Sequence, residues 1–152
     1  MINNAIWTVL LSMLPVTEVR LSIPYGISSG LNVWFVLFLS LLGNLSIAPL
    51  IFFFLDYLHK HFMKIRYYEK MFNLYANFIV KKFHEKKDKT WPYLAFFAFI
   101  ALPLPGTGTY TGVLLAWLIG MKRIKAYLSV IFGVIVDAVI VTLITLGVIK
   151  IF

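Results

Sequence analysis

Three side chains could do chemistry that their surroundings would otherwise penalise: Glu18, Arg20 and Asp137. Glu18 and Arg20 are the only charges in the first 55 residues, two apart in Pro15-Val16-Thr17-Glu18-Val19-Arg20-Leu21-Ser22-Ile23-Pro24-Tyr25-Gly26. Asp137 lies near the centre of the otherwise uncharged run Ala126–Ile149. A charge in such a run costs about 2.5–3.5 kcal/mol on membrane-insertion scales unless it is paired or hydrated. Carboxylates there can carry protons, and a guanidinium can clamp a phosphate in a bidentate way. The same residue types also allow a purely structural Arg20–Asp137 lock, or a Glu18–Arg20 pair sitting in water at the outer interface. Asn44 lies at a comparable depth in Leu31–Leu55, fit to hydrogen-bond a helix end or a substrate.

The other chemically suggestive stretch is Leu102-Pro103-Leu104-Pro105-Gly106-Thr107-Gly108-Thr109-Tyr110, inside the uncharged run Trp91–Met121. Pro103, Pro105, Gly106 and Gly108 cannot continue a helix, since proline lacks an amide donor and glycine costs backbone entropy. Amides opening the next half-helix, with the hydroxyls of Thr107 and Thr109, favour an anion. The spacing is not that of a phosphate-binding NTPase loop, because no Lys-Ser/Thr follows. His59, His61 and His84 read as surface imidazoles. His59 and His61, two apart, do not share a helix face, so no metal and no cofactor is expected. No serine–histidine arrangement, paired carboxylates or zinc motif lies in the apolar part, which argues against an enzyme.

The elements that must position these residues are membrane helices. Hydrophobic residues make up 61% of the 152 residues and charged ones 13%, against roughly 25% charged in a soluble domain. Several runs exceed the roughly 18 apolar residues of a spanning helix. There are 14 Lys+Arg against 6 Asp+Glu. Most basic residues sit in Lys60–Lys89, with a smaller group at Lys122, Arg123 and Lys125, beside the apolar runs, which fits anionic headgroups better than nucleic acid. The chain has no cysteine, which excludes disulfides and thiolate chemistry. The first thirty residues lack a basic n-region and a cleavage site, so they are expected in the fold.

Topology follows from charge. The positive-inside rule puts the basic segment 57–90 in the cytoplasm, with Lys122, Arg123 and Lys125 on the same side. Residues 91–121 then begin and end on one side, too short for two spans and a turn, which predicts a re-entrant hairpin broken at depth. By the same logic residues 1–30 form a re-entrant hairpin broken at Pro15–Gly26, and both termini lie outside. The expected fold is all-α and multi-pass in the cell membrane. It is an inverted repeat of hairpin plus spanning helix (1–30 with 31–55, and 91–121 with 126–150), joined by an amphipathic cytoplasmic helical segment, 56–90. Leu14-Pro15 and Leu102-Pro103 stand 88 positions apart, and Gly43 and Ala48 stand 90 before Gly133 and Ala138. In the connecting segment, Leu58, Phe62, Ile65, Tyr68, Phe72, Tyr75, Ile79 and Phe83 recur at helical steps, predicting a basic amphipathic helix that lies on the headgroup surface or packs beneath the bundle. Pro49 predicts a kink, and Gly43 and Gly133 suggest close helix contacts that could seat a second subunit in a homodimer.

Two motifs taken together, Pro-Val-Thr-Glu-Val-Arg-Leu-Ser-Ile-Pro-Tyr-Gly from Pro15 and Leu-Pro-Leu-Pro-Gly-Thr-Gly-Thr-Tyr-Thr-Gly from Leu102, make this chain resemble the small multi-drug export protein family, a small relative of the DedA superfamily. The resemblance implies paired re-entrant hairpins facing each other and movement of lipids or other amphipathic molecules, with proton-motive-force dependence. It maps the acidic residue and arginine of DedA hairpin loops onto Glu18 and Arg20. Here the second hairpin carries no charge where DedA-type proteins often have an arginine. The expected function is a transporter or flippase for an amphipathic anion, a phospholipid or polyprenyl phosphate. Arg20 and the Pro105–Thr109 amides would hold the headgroup, while Glu18 and Asp137 handle protons. The rivals are a proton-coupled exporter of cationic drugs and a membrane scaffold recruiting a cytosolic partner through Asp56–Lys89.

Overall fold

The computed structural model describes residues 2–84, 97–103 and 107–151, and these are helical apart from short turns, with no strand among them. In order they are α1 (Ile2–Met13), α2 (Glu18–Ser28), α3 (Val33–Phe53), a π-helical turn (Phe54–Leu58), α4 (His59–Phe62), α5 (Arg66–His84), a helical stretch at 97–101 (α6), α7 (Thr109–Leu118) and α8 (Arg123–Ile151). Two continuous apolar stretches, Val33–Leu58 and Arg123–Lys150, are long enough to cross a bilayer, whereas α1 and α7 are too short.

Around an apolar core that includes Val19, Ile23, Val36, Leu115 and Val130, large apolar side chains also face outwards and several polar ones are buried. Trp34, Phe38, Leu42, Phe53, Phe132, Leu143 and Ile144 point outwards, while Thr8, Ser12, Ser22, Ser40, Asn44, Thr109 and Asp137 are buried. Lipid solvates the former, and the latter must find partners inside. Ser22 Oγ donates to Ser40 Oγ at 2.9 Å, tying α2 to α3. Small residues let the backbones close up. A Cβ on Gly43 would collide with Ser12 Oγ and lie 3.0 Å from Val9 O of α1. A Cβ on Gly133 would fall 2.7 Å from Ile100 Cγ2 and 3.5 Å from Phe97 O of α6. Both glycines therefore seat short helices of their own chain.

The turns before the two long helices are built alike. Gly30 (φ 79°) and Gly120 (φ 67°) sit in the left-handed region that only glycine adopts without strain. Gly30 N–H donates to Ile27 O and Leu31 N–H to Gly26 O. Ninety positions on, Gly120 N–H donates to Trp117 O and Met121 N–H to Ala116 O. These paired bonds satisfy the last carbonyls of α2 and α7, so each short helix ends abruptly and the chain turns directly into a long helix.

Two expectations need correction. The first break is confined to residues 14–17; Pro24 and Gly26 lie inside α2. Helix interruption by proline costs about 3 kcal/mol, yet α2 buries Val19 and Ile23 almost completely, and that packing holds it together. Gly26 is a contact residue: a Cβ there would meet Val36 Cγ2 at 2.7 Å and Thr8 Oγ1 at 3.0 Å. α3 runs through Pro49 as continuous helix and passes into the π-helical turn at Phe54–Leu58. The connecting segment is two helices, α4 and α5, parted by a turn at residues 63–65. Periodicity cannot detect that turn, because Leu58, Phe62 and Ile65 keep the helical step across it; among the described side chains of the expected face, Tyr68 and Phe72 pack against His59. The side chains of Tyr75, Ile79 and Phe83, and residues 85–96 with most of the expected first arm of the second hairpin, lie outside the described residues.

Candidate functional site

The two interruptions meet. α7 opens at Gly108, whose φ of 135° and ψ of −163° are accessible in practice only to glycine. The first amides of α7 have no partner within the helix, and Glu18, from the start of α2, fills the vacancy: Tyr110 N–H donates to Glu18 Oε1 at 3.4 Å. The carboxylate lies directly over Gly108, where a Cβ would stand 2.7 Å from Glu18 Cδ and 2.8 Å from Oε1, with Oε2 closer still. Glu18 is 4% exposed and has a φ of 43°, the positive-φ non-glycine among the described residues. Such a conformation costs on the order of 1–3 kcal/mol and persists only where its surroundings enforce it. Tyr110 also donates its hydroxyl to Met13 O, the last residue of α1.

Arg20, two residues further along α2, spans the rest of the junction. Its Nε donates to Asp137 Oδ2 of α8 at 3.1 Å. Nη1 donates to Thr107 O at 2.7 Å, and Nη2 donates to Leu102 O at 3.0 Å and Thr107 Oγ1 at 2.8 Å. The guanidinium therefore closes both ends of the second break and anchors it to α8. Asp137 is 1% exposed, and its Oδ1 is buried without a hydrogen-bond partner among the described residues. On α3, Asn44 donates from Nδ2 to Ser12 O at 3.1 Å and accepts from Thr109 Oγ1 at Oδ1. Each long helix thus sends one buried polar side chain to the crossing, Asn44 to the end of α1 and the start of α7, and Asp137 to Arg20 of α2.

Of the residues expected from sequence, Glu18, Arg20, Asp137, Asn44, Thr107, Gly108 and Thr109 converge here. Pro15 lies in the first break and Pro103 at the edge of the second, whereas Pro24 is within α2. Pro105 and Gly106 fall outside the described residues. The expected anion site at the start of α7 is occupied by the chain's own Glu18. Tyr110 escaped the sequence reading; its signal is the first-turn amide after Gly-Thr-Gly-Thr, which must find an acceptor somewhere.

A family model described as "Putative small multi-drug export protein" matches residues 18–140. The chain belongs to this family. The matched span begins at Glu18 and includes Arg20, Asn44, Gly108 and Asp137. No curated protein and no solved structure matches the chain. Membership makes it a transporter of the membrane in broad class, and exporters are not an enzyme class. No group of His, Asp and Glu suited to a metal occurs among the described residues.

Two further features of this family member flank the junction. A groove of about 610 Å³ opens between α3, α5 and α7, lined by Ile47, Ile51, Phe54, Phe72 and Leu114, with Tyr110 and Thr111 bringing it beside the Glu18 seat. In the π-helical turn after α3, Asp56 Oδ1 accepts from Trp117 Nε1 at 3.1 Å and Oδ2 from Arg123. His59, expected at the surface, is 7% exposed: its Nδ1 lies 3.1 Å from Tyr68 Oη and its ring packs on Phe72 and Trp117, centroids 4.2 and 5.1 Å away. Burial among these rings lowers its pKa below the ordinary 6.5. His61 is exposed as expected, and the side chain of His84 lies outside the described residues.

Proposed function

We propose that the protein exports amphipathic cations in exchange for protons at Glu18 and Asp137. The observation that carries this reading is the charge count at the crossing. Two buried carboxylates face one guanidinium, and that guanidinium is spread over Asp137 and the carbonyls of the second break. Among the described residues the junction has one negative charge in excess, which suits a proton or an organic cation. An anionic headgroup would have to displace Glu18 from the amides of α7 or Asp137 from Arg20, leaving a buried carboxylate without its partner, a change that typically costs about 3–5 kcal/mol. The groove beside Tyr110 offers an apolar bed for the body of such a substrate. The same groove favours a second reading, lipid flipping, in which an acyl chain lies in it; the DedA kinship suggested by the motifs belongs to that reading.

The architecture we infer is an inverted repeat of two re-entrant hairpins, each followed by a spanning helix, with the basic segment cytoplasmic and both termini outside. Matching turns ninety residues apart and reciprocal packing of α2 on α8 and α7 on α3 support it. Sites at the meeting point of broken helices in such repeats are alternately exposed by rocking one repeat against the other.

The test uses purified protein in liposomes carrying an imposed pH gradient, with ethidium as the cation. Proton-driven ethidium movement should occur in the wild type and be lost in Glu18→Gln and in Asp137→Asn. Ethidium movement that ignores the gradient, or equal rates in all three proteins, would refute the exchange. Movement of fluorescent anionic lipid, insensitive to ethidium, would favour flipping.

A further inference from the structure

α5 carries a second apolar stripe that the bundle does not use. Tyr68 and Phe72 face the groove and the His59 cluster. On the adjoining arc, at steps of four and three, Tyr67, Met71 and Leu74 are 77%, 53% and 62% exposed. The third arc is polar and exposed, with Arg66, Lys70, Asn73 and Asn77 along it and Glu69 at its edge. Going round the helix, one third is covered by protein, one third is bare and apolar, and one third is basic and polar. A helix surrounded by water on its free sides has no use for the middle third. A helix lying along a bilayer surface needs that division, with apolar side chains among the acyl chains and basic ones at the headgroups. α5 starts eight residues after the long apolar stretch ends at Leu58, so it lies close to where that helix leaves the bilayer.

We propose that the Tyr67–Met71–Leu74 stripe of α5 is an interfacial anchor, seated in the leaflet and held there by anionic headgroups around Lys64, Arg66 and Lys70. Charge complementarity selects the lipid: from Lys64, two residues before α5, through its first turns, the basic side chains Lys64, Arg66 and Lys70 stand against Glu69 alone. Because Tyr68 and Phe72 on the same helix line the groove, the depth of the anchor sets how α5 covers the groove mouth. This inference is independent of which substrate the crossing takes.

The chain has no cysteine, so single-cysteine variants of the full-length protein give unambiguous labelling sites. Nitroxide labels would be placed in turn at 66, 67, 70, 71, 73, 74 and 77, in vesicles of phosphatidylcholine alone and with phosphatidylglycerol added. Oxygen accessibility should peak at 67, 71 and 74, and nickel-chelate accessibility at 66, 70, 73 and 77. Phosphatidylglycerol should deepen the first group, with each basic side chain worth roughly fivefold in local anionic-lipid enrichment. Arg66→Glu with Lys70→Glu should abolish that lipid dependence while leaving the helical periodicity intact. Nickel accessibility at 67, 71 and 74 equal to that at 66 and 70 would overturn the proposal. So would immobilisation of those labels with spin–spin coupling between chains, which would assign the stripe to a second copy.

Discussion

Gly108→Ala tests the Glu18 seat most directly. Two costs follow from the geometry. The backbone at Gly108 has φ 135° and ψ −163°, a region essentially closed to alanine, which costs about 1–3 kcal/mol. The new methyl would also collide with the Glu18 carboxylate, since even Cδ lies only 2.7 Å from the ideal Cβ position. Displacing a buried carboxylate from its amide donors forfeits a charged hydrogen bond worth about 1.5–3 kcal/mol. The expected destabilisation is thus about 2.5–6 kcal/mol. Gly120→Ala is the control: its φ of 67° is also left-handed, but nothing lies within 4 Å of the added Cβ, so only about 1–2 kcal/mol of backbone strain applies. Thermal unfolding in detergent, followed by tryptophan fluorescence, would rank the variants. A cycle with Glu18→Ala isolates the steric part: once the carboxylate is gone, Gly108→Ala should cost less by at least ~1 kcal/mol, because the two residues touch. If Gly108→Ala is no worse than Gly120→Ala, or if the cycle is additive within about 0.5 kcal/mol, Glu18 does not sit over Gly108 and the crossing is wrongly drawn.

Three other outcomes follow from the same geometry. Arg20→Met should destabilise more than Arg20→Met combined with Asp137→Leu, since the single change strands a buried carboxylate and the double change does not; unfolding midpoints of the two variants compare them directly. Asn44→Ala removes bonds to Ser12 and Thr109 together and should cost about 2–3 kcal/mol, whereas Ser46→Ala, whose hydroxyl bonds only Gly43 O within α3, should cost less than ~1 kcal/mol in the same assay. His59 is held neutral in the fold, with a pKa below 6.5, while the unfolded chain takes up its proton near 6.5. Its contribution is therefore complete above about pH 6.5 and is lost as the pH falls towards the lowered folded value. His59→Phe should flatten that acid-side slope in midpoints measured across the range, and an unchanged slope would show that His59 is not buried as described.

Much of this protein could be read from one dimension. Long uncharged runs dictate membrane helices because lipid leaves a backbone no alternative partner, and Pro103, Gly106 and Gly108 dictate a break because they cannot sustain that partnership. Glu18, Arg20 and Asp137 marked themselves by being charges where charge is costly. What the sequence left undecided was who satisfies whom. The amides opening α7 need an anion, and nothing along the chain distinguishes an incoming headgroup from Glu18, ninety residues away; only the meeting of the two breaks assigns it. Pro24 and Gly26 look like breakers in sequence and serve as helix and contact, because burial of Val19 and Ile23 outweighs local propensity. His59 looks like a surface imidazole until the turn at 63–65 folds Tyr68 and Phe72 back over it. Local chemistry fixes which groups must be partnered, but the partners lie far along the chain, so only the packed bundle can name them.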